Sequence, residues 1–224
     1  MEVRPAPVCE KCDNAKGDAP YGPCLPFEKS RPPLKNDGCV VGMDSNYKNG
    51  FVLSDGQNVG PVIYSRIQWF VKRQKNTHAE IKSLVGCELK RIDFSGIKTL
   101  CIESLKYVKH RKRGTFPRVL NRRLSHWLYA YTVELLSRKC EESGVRLERK
   151  SPTYTSQFCR VCCKWDRRNR LGDRFCCVHC GYSDHADLNA AKNLALLGEA
   201  GVYGLRSLPS PNFVQQVKVL GNHG

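Results

Sequence analysis

The sequence predicts an α/β fold built on a mixed sheet, and three features of it carry that prediction. Three short apolar runs follow one another closely near the start. Segments of helical periodicity then alternate with further short runs. Finally, a cysteine-rich insertion separates the last helical segment from the strand before it.

The elements follow in order. Residues 1–37 carry Pro5, Pro7, Pro20, Pro23, Pro26, Pro32 and Pro33 without apolar periodicity, which gives a loop-like leader. "CVVGMD" (39–44), "GFVLSD" (50–55) and "VGPVIY" (59–64) read as a three-strand meander, with turns at Asn49-Gly50 and Asp55-Gly56. Across 65–93, Ile67, Phe70, Val71, Ile81, Leu84 and Val85 are spaced as on one helical face. "KTLCIE" (98–103) is a fourth strand. Residues 117–143 read as a long helix with Pro117 in its first turn and Gly144 at its C-terminus. Its apolar stripe is Val119, Leu120, Leu124, Trp127, Leu128, Tyr131, Leu135 and Leu136. "VRLERK" (145–150) is a strand and "ADLNAAKNLALLG" (186–198) a final amphipathic helix. The α/β core is therefore expected over 38–158, with an insertion at 159–181. The closing helix lies in 182–203, and a loosely ordered tail covers 204–224.

Charge narrows the function. Thirty-seven Lys and Arg against 21 Asp and Glu give +16, which points to a polyanionic partner, because cations placed on phosphates release condensed counterions. A membrane surface fits poorly, since no basic amphipathic segment ends in apolar anchors and no stretch approaches the ~20 apolar residues of a span. The N-terminus lacks the apolar core of a signal peptide, so a cytoplasmic, nucleoid-associated protein is expected. In that reducing setting the thirteen cysteines read as metal ligands or core residues rather than disulfides.

Cys159-x-x-Cys162 and Cys177-x-x-Cys180 are two knuckles separated by fourteen residues. Four thiolates at this spacing suit structural, tetrahedral Zn²⁺, with no position left for water. Cys163 and Cys176 adjoin the knuckles and offer a register shifted by one, and His179 offers an imidazole in place of Cys180. The two-residue spacing and Gly181 favour Cys162 and Cys177. The intervening loop is basic (Lys164, Arg167, Arg168, Arg170, Arg174) and carries Trp165, which suits base stacking. Cys9 and Cys12 form either a second metal site, with Cys24 and Cys39, or an incidental pair. Cys87, Cys101 and Cys140 read as core. A second basic stretch holds Lys109, Arg111, Lys112, Arg113, Arg118, Arg122 and Arg123, which are expected to steer a nucleic-acid backbone.

Three acids stand at element ends: Asp44 after the first strand, Glu103 after the fourth, and Asp187 opening the final helix. Convergent carboxylates without a paired base repel one another unless divalent cations neutralise them. Mg²⁺ or Mn²⁺ held in this way suits phosphodiester hydrolysis.

"VGMDSNYKNG", "LCIESLK", "YTSQFCRVC", "RFCCVHCGY" and "DHADLNAAKNL" resemble, in that order, the C-terminal half of the TnpB (OrfB) insertion-sequence proteins and the compact type V CRISPR effector nucleases. The resemblance covers residues 38–198. It implies an RNase H-like (RuvC-like) mixed sheet with an inserted zinc ribbon. It also implies transposon-associated DNA cleavage by Asp44, Glu103 and Asp187, with Arg174 stabilising charge near the scissile phosphate. Asp187, rather than nearby Asp184, keeps the family's spacing to Asn189. A guide RNA, or a second protein supplying a recognition half, is the implied partner beside DNA, because a proline-rich leader stands where full-length relatives carry their guide-gripping half. Two positions depart from the family pattern. Asn46 and Cys163 replace glycines, and Asn46 is expected to keep the turn through its tolerance of left-handed backbone. The alternative is a catalytically inactive zinc-ribbon protein that binds nucleic acid, or a transposon remnant.

Overall fold

A computed structural model describes residues 30–46, 49–63, 65, 66, 69, 78–104 and 127–208. The expectations for the leader cysteines Cys9, Cys12 and Cys24, for the basic residues Lys109 to Arg123, and for the first half of the long helix lie outside the described residues. The chain divides between Arg31 and Pro32, and all the elements below belong to the second unit.

Five strands form the main sheet: β1 (Cys39–Asn46), β2 (Gly50–Leu53), β3 (Asn58–Val59), β4 (Ile97–Glu103) and β5 (Arg146–Lys150). Their order is β3-β2-β1-β4-β5. The first three pair antiparallel, while β1, β4 and β5 run parallel. This is the order and polarity of an RNase H-like sheet, with the first and fourth strands side by side. The meander differs from expectation at two points. Gly50 already pairs with Asn46 and opens β2 at φ 82°, so Asn49-Gly50 is not a two-residue turn. β3 stops at Val59, because Gly60 at φ 78° and Pro61 end the ladder. The Asp55-Gly56 turn is present. Its Asp55 carboxylate accepts from the Gln57 N–H at 3.1 Å, and Gly56 lies at φ 97°.

Helices cover both faces. α1 (His78–Leu89) and α2 (Trp127–Glu142) lie on one side. Ile81, Val85 and Leu89 of α1, with Val133, Leu135, Leu136 and Cys140 of α2, join Val41, Met43, Leu100 and Ile102 of the sheet in one core. Gly144 ends α2 as its position predicts, at φ 65°, with the Val145 N–H bonded back to the Cys140 carbonyl at 2.8 Å.

The opposite face is closed by α3 (Ala186–Glu199), which runs antiparallel to β1 at close range. A Cβ on Gly42 would sit 2.0 Å from the Ala191 carbonyl oxygen and 2.5 Å from the Ala195 nitrogen. A Cβ on Gly198 would sit 2.3 Å from the Cys101 sulfur and 2.7 Å from Val40. The two glycines let helix backbone lie directly on strand, where many dispersion contacts form at once. Because side chains alternate along a strand, Asp44 and Asn46 share the α3 face with Gly42, and Glu103 shares it with Cys101.

Replacing Gly42 with valine should lower the thermal midpoint sharply. Overpacking costs about 1–3 kcal/mol and occasionally more, and here the obstacle is helix backbone that no rotamer change relieves. The same valine at Gly56, where nothing lies within 4 Å of a Cβ, meets only the cost of its positive φ. Thermal melts of the two variants should differ accordingly.

Candidate metal centres and acidic edge

The cysteine insertion forms a second, three-stranded sheet of β6 (Arg170–Leu171), β7 (Arg174–Cys176) and β8 (Ser183–His185), in that order and antiparallel throughout. Two knuckles of the same construction face each other. In the first, the Cys163 N–H bonds to the Cys159 carbonyl at 2.8 Å; in the second, the Gly181 N–H bonds to the Cys177 carbonyl at 2.9 Å. The residue after each knuckle must therefore turn left-handed. Gly181 does so at φ 76° and Cys163 at φ 60°. Cys163 takes up a glycine's conformation at a cost of about 1–2 kcal/mol, and its side chain packs with Phe158, Leu196 and Leu205. Asn46 does not play the corresponding part at its own position. Among the described residues only Tyr154 and Cys163 are non-glycines at positive φ, and Asn46 lies within β1.

The register question is thereby answered. The sulfurs of Cys159, Cys162, Cys177 and Cys180 all lie within 4.8 Å of one another, with Cys159–Cys180 at 3.6 Å and Cys162–Cys177 at 3.5 Å. Zn–S bonds of about 2.3 Å in a tetrahedron require sulfur–sulfur edges of about 3.8 Å, so these four thiols can hold a metal ion such as zinc. Cys176 is exposed on β7, and Cys163 turns into the apolar cluster. Burial pushes the Cys159 and Cys162 thiols up. Burial opposes ionisation of Cys177 too, yet the backbone N–H groups of His179 and Cys180, with the neighbouring thiols, hold it down at about 7. Buried Asn169 ties the two knuckles together: its amide donates to the Gln157 carbonyl at 2.9 Å and its oxygen accepts from the Val178 N–H at 2.9 Å.

Three links fasten this ribbon to the core. Asn189 and Asn193, four residues apart on α3 and fully buried, both donate to the Phe158 carbonyl, at 3.1 and 2.9 Å; Asn193 also donates to the Thr155 carbonyl at 2.7 Å. The Thr155 hydroxyl donates to Glu103 Oε1 at 3.2 Å, so the segment entering the ribbon touches the second candidate acid. At the exit, Asp184 accepts from Lys192 and from the Tyr182 hydroxyl, both at 2.7 Å. Burial works against its ionisation, but these partners and the His185 N–H hold its carboxyl below the usual range. Asp184 is thus an anchor. The α3 cap is His185, whose Nδ1 accepts from the Asp187 N–H at 3.3 Å.

The three acids come to one edge. In the β1–β4 register Met43 stands beside Ile102, so Asp44 and Glu103 follow one step further on adjacent strands. Asp187, in the first turn of α3 and 1% exposed, reaches the same end of the sheet. Its Oδ2 accepts from Asn46 at 2.9 Å and from Asn49 at 2.6 Å; its Oδ1 accepts from Arg170 at 3.3 Å. Sequence reasoning missed all three of these donors. Asn46 was legible in principle, since it lies two residues after Asp44 and so on the same face. Arg170 reaches Asp187 from the ribbon, whereas Arg174 is exposed on β7. Among the described residues the four thiols are the one group of three or more His, Cys, Asp or Glu side chains placed to share a metal ion.

On the ribbon surface, Trp165 stacks on Tyr154 with ring centroids 4.4 Å apart and an interplanar angle of 21°, and the Arg206 guanidinium lies 5.7 Å from the Tyr154 ring centroid. Trp165 remains 49% exposed. Arg167 is exposed, while Arg168 is engaged with Asp166 at 2.8 and 3.0 Å.

Residues 129–194 match the domain family described as Cas12f1-like, TNB domain. That stretch is similar to the TnpB and compact type V effector proteins. The resemblance carried by the sequence motifs is thereby borne out. Over 77 residues the chain is 40% identical to the CRISPR-associated endodeoxyribonuclease Cas12f1 of Sulfoacidibacillus thermotolerans, covering 34% of this chain and 18% of that protein. Over 129 residues it is 31% identical to a TnpB-like protein of Aquifex aeolicus (strain VF5), covering 54% of this chain and 42% of that one. The chain thus spans less than half the length of either relative. Among solved structures, a Cas12f1–sgRNA–target DNA complex overlaps with 70% of this chain and 49% of that chain, at 21% identity and a TM-score of 0.47. CasPhi-2 bound to crRNA overlaps with 66% of this chain and 25% of that chain, at 17% identity and 0.43. No described helix is long and apolar enough to cross a membrane.

One zinc per chain is the expected stoichiometry by elemental analysis. Cys177→Ser should lose most of it, whereas Cys163→Ser and Cys176→Ser should keep it. Retention should fall on acidification, because protons compete for the thiolates.

Proposed function

We propose that this chain is the nuclease half of a TnpB-like, metal-dependent DNA endonuclease, cutting single-stranded or opened DNA. The observation that carries the reading is the meeting of Asp44, Glu103 and Asp187 at one sheet edge, beside a four-thiol ribbon bonded to the helix that bears Asp187. Asp44, Glu103 and Asp187 would hold Mg²⁺ or Mn²⁺; their all-oxygen donor set suits hard divalent cations. Such ions, when bound, supply the Lewis acidity that phosphodiester hydrolysis needs at neutral pH.

The chain's own residues do the rest. Asn46 and Asn49 fix the Asp187 carboxylate, which burial alone would leave costly to keep ionised. Arg170 neutralises that carboxylate and stands ready beside the edge for a phosphate, the part expected of Arg174. Thr155 orients Glu103. Trp165, supported from one side by Tyr154, offers an aromatic face to an unpaired base, and Lys164 and Arg167 add charge along the strand. Lys109, Arg111, Lys112, Arg113, Arg118, Arg122 and Arg123 complete the basic surface in this reading, and the +16 net charge supports a nucleic-acid partner. The relatives named for endodeoxyribonuclease activity and for guide-RNA complexes support DNA as the substrate and a guide RNA as a partner.

A second reading, nucleic-acid binding without cleavage, is favoured by one observation: Arg170 already occupies Asp187 Oδ1. One experiment separates the two. Zinc-loaded protein is given labelled single-stranded and duplex DNA with Mg²⁺ or Mn²⁺, next to Asp44→Ala and Asp187→Ala. Metal-dependent cleavage reduced by roughly two or more orders of magnitude in both variants is expected. Equal cleavage by wild type and Asp44→Ala would sink the nuclease reading. Salt-sensitive binding with no cleavage by any of the three would select the second. Trp165→Ala should weaken single-strand binding about 5- to 100-fold, measured by fluorescence anisotropy.

A further inference from the structure

A hollow of about 370 Å³ opens between β2, β3 and the first turn of α3. It is within the range of about 300–1,000 Å³ that takes small ligands. We infer that it is a subsite for one unpaired nucleotide of the strand being cut, seated next to the phosphate that would lie at Asp187. The inference rests on the nuclease reading for the identity of that strand, and on the geometry below for the site.

Position comes first. Val52, in the wall, stands directly opposite Asp44 in the β1–β2 register and therefore on the same face of the sheet. Leu188 follows Asp187 in α3. Two further lining residues touch Asp187 itself: Asn49 donates to its carboxylate at 2.6 Å, and His185 accepts from its N–H at 3.3 Å. The hollow and the acidic edge thus share side chains, and a nucleotide in one has its phosphate within reach of the other.

The lining chemistry matches a nucleotide. Val52, Leu188 and Pro61 give apolar surface for the faces of a base, while Asn49 and Asn58 bring amides, which offer donor and acceptor together, as a base edge does. His185 adds an imidazole at the wall, held in place by the hydrogen bond that its Nδ1 accepts from the Asp187 N–H. Among the described lining residues there is neither a carboxylate nor a lysine. Such a lining suits an uncharged heterocycle and sugar, with the neighbouring arginine and acids left to deal with the phosphate.

The test is a titration of the zinc-loaded chain followed by amide NMR, without activating metal. The probes are 2′-deoxyuridine 3′,5′-bisphosphate, uridine 3′,5′-bisphosphate and 1,2-dideoxyribose 3,5-bisphosphate, which has no base. Saturable shifts at Gly56, Asn58 and Leu188 with either bisphosphate, and much weaker binding of the baseless probe, are expected; the tighter of the two names the sugar of the strand. Asn58→Ala should weaken binding about 3- to 10-fold, and Pro61→Trp, which fills the mouth, should abolish it. Equal binding of the baseless probe, or shifts confined to the basic ribbon, would overturn the inference. If Pro61→Trp does not fold, the probe series and Asn58→Ala decide alone. The nuclease reading fails separately: base-dependent binding at the hollow, with no metal-dependent cleavage of DNA, would leave the subsite standing and that reading fallen.

Discussion

The close packing of α3 on β1 is the constraint on which the rest depends. It fixes where Asp187 can be. A helix held at ordinary distance by side chains would have its first turn several ångströms above the sheet, and the Asp187 carboxylate would not meet Asn46 or Asn49. Gly42 removes the spacer in the middle of β1, against Ala191 and Ala195, and Gly198 removes it near the start of the strand, against Val40 and Cys101. On the helix side the residues Ala190, Ala191 and Ala195 are small and buried. The geometry of the acidic edge is thus set by small residues that take no part in its hydrogen bonds, and the same contact gives α3 its direction along the strand.

The ribbon is coupled to this contact and not merely appended to it. Phe158, at the entrance to the first knuckle, gives its carbonyl to both Asn189 and Asn193. Among the described residues neither asparagine's own Oδ1, though buried, meets a partner. An unpaired buried acceptor costs about 1–3 kcal/mol, so the gain must come from holding that carbonyl in place. The consequence is structural continuity: thiols, Phe158, α3 and Asp187 are joined by short links, and Thr155 in the same entrance segment reaches Glu103. A metal ion that rigidifies the knuckles would therefore stiffen two of the three acids, although it takes no part in the chemistry.

Much of this was legible in the sequence, for reasons that differ by element. The knuckles were legible because C-x-x-C spacing is a property of one tight turn and survives any context. The strands β1 and β4 were legible as short apolar runs, since parallel strands between two helical layers are buried on both faces; β5, with the sequence RLERK, is a mostly charged strand with only Lys150 buried. β3 was overestimated because "VGPVIY" has strand composition, while Gly60 and Pro61 end the ladder after Val59. Asn46 was read through its backbone tolerance, whereas its side chain matters: it is an amide on the α3 face, bonded to an acid 141 residues away. Arg170 could not be chosen over Arg174 from sequence, because which ribbon arginine reaches the sheet depends on the angle at which a separate three-stranded sheet sits on α3. Cys163 was more nearly within reach. It occupies the same offset from Cys159 as Gly181 does from Cys177, and that parallel alone marks it as a turn residue rather than a ligand.

The electrostatics of the acidic edge follow from the same arrangement. Asp187 is almost wholly withdrawn from water, and a carboxylate so placed must be hydrogen-bonded or neutralised. Its present partners are two neutral amides and one guanidinium that is itself 30% exposed. The amides belong to the β1–β2 hairpin and hold Oδ2; the guanidinium belongs to the ribbon and holds Oδ1. One oxygen is therefore fixed by the core, and the other is held by a group on a long, partly solvated side chain. Under the proposed nuclease reading a divalent cation would need just one such oxygen to be released, and the displaced arginine would stay beside the edge, where a phosphate would lie. The division of labour between the two oxygens lets a buried acid be stable before metal arrives and still be open to it.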